Sequence, residues 1–128
     1  MKGKKDKTEK QYRAFIQSVI DKYAPILLLN NFIVVMKKEK EGDDYYLACK
    51  YRYPYLDGVI IYSNRSMEDW KKEPKEYHER KLVHELCHLI TDPLYGKATT
   101  LFVSKTEIED ERERLTDHIA NIICKLTP

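Results

Sequence analysis

Residues 82–90, Leu-Val-His-Glu-Leu-Cys-His-Leu-Ile, constrain this chain more than any other segment. Leu82, Val83, Leu86, Leu89 and Ile90 form one apolar stripe at helical spacing, so the segment is expected to be a packed helix. A helix turns about 100° per residue, which leaves positions i and i+4 only ~40° apart. His84 and His88 therefore project side by side, away from the apolar stripe, with Glu85 on their flank. Pro74 suits the first turn of this helix, and Pro93 is expected to stop it near Thr91, with Gly96 beyond.

The elements around that helix follow from periodicity. Tyr12, Phe15, Ile16, Val19, Ile20 and Tyr23 mark an amphipathic helix that ends at Pro25. Phe32 to Met36 is a β-branched run. The polar stretch Lys37 to Asp44, with Gly42, reads as a turn leading into Tyr45 to Tyr53, where apolar and polar residues alternate; the two strands are expected to meet in a hairpin. Val59-Ile60-Ile61-Tyr62 reads as a third strand. Ser63 to Ser66 supplies caps for a short helical turn at Met67 to Trp70, Ser66 and Asp69 standing at a loose capping-box spacing. A strand-like patch at Leu101-Phe102-Val103 precedes a closing helix from about Thr106 to Leu126. The expectation is one α+β domain over residues 1–128, without repeats or a linker.

Composition narrows the partners. Lys and Arg number 23 against 21 Asp and Glu, a balance that points neither toward nucleic acid nor away from it. The basic start, residues 1–8, is expected to be a disordered solvated tail rather than a nucleic-acid-binding arm, and it lacks the apolar core of a secretory signal. The longest apolar run, Ala24 to Met36, is interrupted by Pro25 and Asn30-Asn31, short of the ~20 residues a membrane span needs. Cys49, Cys87 and Cys124 lie within apolar segments and read as buried hydrophobes. Their odd number fits a reducing, cytoplasmic location. Neither a membrane nor nucleic acid is expected as a partner.

The paired histidines carry the chemistry. Two imidazoles one turn apart can grip one ion, while Glu85 can hydrogen-bond that ion's water without binding the metal. Zn²⁺ with three protein ligands and an open position lowers the pKa of its water to about 7, so a third ligand is required. Glu113 is nominated by spacing: it lies one turn from Asp117 on the last helix, and the small residues Ala120 and Cys124 continue that face and permit close approach. Glu109 is the rival ligand. Asp117 could accept a hydrogen bond from the far nitrogen of a ligand histidine.

The segments His84-Glu85-Leu86-Cys87-His88 and Glu113-Arg114-Leu115-Thr116-Asp117 resemble the gluzincins, metallopeptidases with an HExxH helix and a glutamate ligand in a later ExxxD helix. Glu113 to Ala120 is similar to the E-x-x-x-D/N-x-x-A pattern of ImmA/IrrE-like peptidases of mobile elements. The resemblance implies a zincin-like fold with an N-terminal helix, a three-stranded sheet, the HExxH helix and a C-terminal glutamate helix. It also implies a hydrolase, a zinc-dependent metalloprotease acting on a protein or peptide substrate, with Glu85 as general base. Cys87 stands where such families often carry glycine.

Tyr95, between the two ligand helices, is the candidate oxyanion donor; His78 and His118 read as surface residues, His118 adjoining Asp117. The alternative function is a peptidase-derived module that holds metal and regulates or binds a partner without cleaving it. No second cofactor is implied.

Overall fold

A computed structural model describes the backbone of residues 2–27, 29, 33–40, 42, 44–51, 57–98 and 104–127, with side chains omitted at 2–6, 94 and 96–98. The elements run α1 (Lys2–Tyr23), β1 (Ile33–Lys38), β2 (Leu47–Tyr51), β3 (Asp57–Tyr62), α2 (Asn64–Lys72), α3 (Lys75–Ala98) and α4 (Lys105–Leu126). The architecture is α+β, with four helices and a three-stranded mixed sheet. Tyr53 and the patch at Leu101 to Val103 lie outside the described residues.

The sheet is built differently from the expected β1–β2 hairpin. Its order is β1-β3-β2, with β1 parallel to β3 and β2 antiparallel to it. The reason is visible in the strands themselves. β3 carries apolar residues on both faces, Ile60, Ile61 and Tyr62 all being buried, as a central strand must be. β1 alternates: Val34 and Met36 pack on the core, while Ile33 and Val35 are exposed, a pattern suited to an edge.

The core lies between the sheet and the helices α1 and α3. Tyr12, Ile16, Val19, Ile20 and Tyr23 of α1 meet Leu82, Val83, Leu86, Cys87 and Leu89 of α3, with Ile60 and Tyr62 between them. Gly58 sets the closeness of α3 to β3. A Cβ at that position would stand 2.7 Å from Leu89 Cδ2, so hydrogen is the only side chain that admits the leucine as it sits. Cys49 and Cys87 are buried and Cys124 is half-buried, all three as free thiols.

Three helix boundaries depart from expectation. α1 begins at Lys2, so the stretch read as a disordered tail belongs to the helix. The cap of α2 is Ser63, whose hydroxyl accepts from Ser66 N while the Ser66 hydroxyl accepts from Ser63 N; Asp69 has no part in the box. α3 passes through Pro93 and continues to Ala98. Proline inside a helix removes a hydrogen bond and costs roughly 3 kcal/mol. Packing on α4 offsets this: Thr91 Oγ1 meets Thr116 Oγ1 at 2.8 Å, and the Tyr95 hydroxyl donates to Glu109 at 2.7 Å. Among the described residues no helix is long and apolar enough to cross a membrane.

Candidate metal centre

One turn of α3 supplies the first two groups. The rings of His84 and His88 are 5.0 Å apart at 77°, and ligand atoms of His84, Glu85 and His88 all lie within 4.8 Å of one another. His88 is buried beneath the approach of α4, and His84 is half-buried.

Helix α4 supplies the third. Its N-cap is Ser104, which accepts from Glu107 N, and it turns a face of small residues inward: Thr116 and Ala120 are fully buried. Leu115 and Ile122 face solvent instead, so the helix comes close to α3 through its short side chains. Glu113 is thereby brought to both histidines. Its Oε2 is 3.2 Å from His84 Nε2, and its Oε1 is 3.5 Å from His88 Nε2.

Each imidazole is backed by a second carboxylate. His84 Nδ1 lies 3.4 Å from Asp117 Oδ1, an ion-pair contact. His88 Nδ1 lies 2.9 Å from Asp92 Oδ1. Sequence reasoning missed Asp92 because Pro93 was taken to end the helix before it. The available signal was its position, four residues after His88 and hence on the same helix face.

The donor atoms of His84, Glu85 and His88 lie close enough together to hold a metal ion, and the Glu113 carboxylate stands beside both rings. Ligands at about 2.0–2.1 Å from zinc in a tetrahedron are separated by roughly 3.3 Å, close to the two Glu113 distances. With Nδ1 of each ring turned to an aspartate, Nε2 is the atom left to face Glu113, the orientation that carboxylate backing imposes on metal-binding histidines. His84, His88 and Glu113 could thus hold the ion.

Glu85 stands beside this set without needing to join it. Burial pushes its carboxyl up to about 7; His88 pulls the other way, Glu113 and Asp92 add to the rise, and a main-chain hydrogen bond from Cys49 opposes it. Burial lowers the His88 pKa, yet Asp92, through its hydrogen bond and charge, followed by Glu85 and Glu113, leaves it raised overall.

Two concavities flank the centre. One, of about 310 Å³, opens between Leu47–Cys49 of β2 and Arg112–Glu113 of α4, above Glu85 and His88. The other, of about 440 Å³, lies on the far side of His84 between Tyr46, Tyr77, Arg80, Lys81 and Asp117. Strand β2, which among the described residues pairs with β3 alone, forms one wall of both.

The remaining candidates sit elsewhere. Tyr95 gives its hydroxyl to Glu109, so the structure brings neither to the histidines. His118 is exposed. His78, expected at the surface, is fully buried because its ring completes a polar network between α1, α2 and α3: Nδ1 meets Glu73 Oε1 at 2.5 Å and Nε2 meets the Tyr12 hydroxyl at 2.9 Å. No protein-family model, curated protein or solved structure matches the chain.

Proposed function

We propose that this chain is a zinc-dependent peptidase of gluzincin type, with a zincin-like fold, in which His84, His88 and Glu113 hold the ion and Glu85 is the general base. The observation that carries the reading is the convergence of His84 Nε2 and His88 Nε2 on one carboxylate of a different helix, each ring backed at Nδ1 by an aspartate. Ordinary surface ion pairs do not require that both rings share one orientation.

Zinc, when bound, supplies a Lewis acid that polarises a carbonyl and acidifies water. The chain's own groups move the protons. Glu85 takes a proton from water as the water oxygen bonds to the carbonyl carbon, then delivers it to the nitrogen as the C–N bond breaks. One O–H and one C–N bond are lost and one C–O and one N–H bond are gained. Asp117 and Asp92 hold the two rings in place throughout.

The substrate is an extended protein or peptide segment. The edge of β2 beside the cleft, unpaired among the described residues, can receive it by strand addition, main chain to main chain. Glu85→Gln should retain zinc and lose hydrolysis of an unfolded protein by a thousandfold or so. Glu113→Ala should lose zinc itself. A Glu85→Gln variant that still turns over removes this mechanism.

A further inference from the structure

Amide hydrolysis needs a donor for the oxygen on which negative charge collects when water adds to the carbonyl. Tyr95 does not provide it, since its hydroxyl is engaged by Glu109. Its ring has another role, for the Arg112 guanidinium stacks on it with Cζ 4.0 Å from the ring centroid.

Arg112 is unusual in what it leaves unused. Its Nε is buried and has no hydrogen-bond partner among the described residues; its ion-pair contact, Asp92 Oδ1, is 3.8 Å away. Its Nη2 stands 3.3 Å from Glu113 Oε1, an ion-pair contact. A guanidinium carries five donors in a rigid fork and is always charged; with Nε closed off from solvent and the side chain 23% exposed, an incoming acceptor can reach only its terminal Nη groups. The cavity it faces also contains Glu85, His88 and Glu113. Glu113 Oε1 is 3.5 Å from His88 Nε2 and 3.3 Å from Arg112 Nη2, which puts the guanidinium at the border of the converging donor atoms.

We propose that Arg112 is a catalytic residue that binds the carbonyl oxygen of the scissile bond and holds the oxyanion formed from it, with Tyr95 as the positioning residue beneath. The proposal rests on the peptidase reading above. The guanidinium gives up no proton in this role; the charge arriving on oxygen is matched by a fixed positive charge, and the proton traffic stays with Glu85. Stacking on a ring that Glu109 anchors holds the fork still before substrate enters, the preorganisation such a donor requires.

The test uses the full zinc-loaded chain. Arg112→Met keeps the side-chain stem against Tyr95, and Arg112→Lys keeps the charge without the fork. Steady-state kinetics on a peptide substrate should show kcat reduced by about 10²–10³-fold in Arg112→Met, with KM within about threefold. Zinc content should stay at the wild-type level, and Arg112→Lys should recover part of the loss. The second readout is binding: a phosphonamidate peptide should lose affinity for Arg112→Met by a similar factor. The matching amide peptide, measured in a Glu85→Gln background, should bind within about threefold of the same background with Arg112 intact.

An unchanged kcat in Arg112→Met overturns the proposal alone. A variant that loses zinc along with activity also overturns it, by making Arg112 a support for Asp92 and Glu113. A wild-type chain that holds zinc and cleaves nothing overturns the peptidase reading and this one with it.

Discussion

Asp92 Oδ1 lies 2.9 Å from Nδ1 of His88, one helical turn further along α3, and both side chains are largely shielded from solvent. The contact fixes which ring nitrogen faces Glu113. Asp92→Asn should therefore weaken zinc binding by about 10–100-fold, measured by competition with a chromophoric indicator. Asp117→Asn should do less, because Asp117 is mostly solvent-exposed and its contact with His84 is longer, 3.4 Å. Equal affinity in the Asp92 variant and the wild type would count against the arrangement.

Elemental analysis of the purified chain should find one zinc per molecule. His84→Ala and His88→Ala should each bring this close to zero under the same conditions, whereas His118→Ala, an exposed residue, should leave it unchanged. Zinc that persists in both ligand variants would place the ion elsewhere.

Tyr12 ties α1, α2 and the N-terminal end of α3 together. Its hydroxyl is 2.9 Å from Ser66 Oγ and 2.9 Å from His78 Nε2, all three residues being fully buried. Tyr12→Phe leaves the buried His78 Nε2 without this partner, while Ser66 Oγ keeps Ser63, and should cost about 1–3 kcal/mol in urea unfolding. Zinc content should not change. A loss under about 0.5 kcal/mol would show that the network relaxes around the deletion.

The same network makes stability sensitive to acid. Burial lowers the His78 pKa below its ordinary 6.5, against the pull of Glu73. The unfolded chain then binds that proton first, so this contribution is complete above about 6.5 and falls away as pH drops toward the lower folded value. Burial tends to raise Glu73, but hydrogen bonds from His78 and Lys81 hold it below 4.5, and its contribution is lost further down in the same direction. His88, raised overall, acts oppositely: its contribution is present below 6.5 and lost as pH rises. The clean comparison is with His78→Gln. Between pH 7 and about 5.5 the metal-free wild type should lose stability relative to that variant; parallel curves would exclude His78 as the source.

Much of this was legible in the residues. The apolar stripe of Leu82, Val83, Leu86 and Leu89 marked α3, and of the two small residues read on the last helix, Ala120 and Cys124, Ala120 is fully buried and Cys124 half-buried, with Thr116 the buried neighbour that spacing did not single out. Strand pairing was not, because alternation tells which face of a strand is buried and says nothing about its neighbour. The one cue was the unbroken apolar run of β3, the mark of a strand covered on both sides. Asp92 and Arg112 were hidden for a related reason. Pro93 looks like a terminator when α3 is considered alone, and only the contacts of Thr91 and Tyr95 with α4 carry the helix past it.

The division of the centre between α3 and α4 has a further consequence. Near it the two helices are also linked by the buried hydroxyls of Thr91 and Thr116, by Tyr95 with Glu109 and by Arg112 with Asp92. An ion gripped from both sides would act as a cross-link, and its binding energy would add to that of folding. Stripping it with a chelator would then loosen the C-terminal helix before the sheet, so the catalyst and the clasp that closes the molecule would be the same atom.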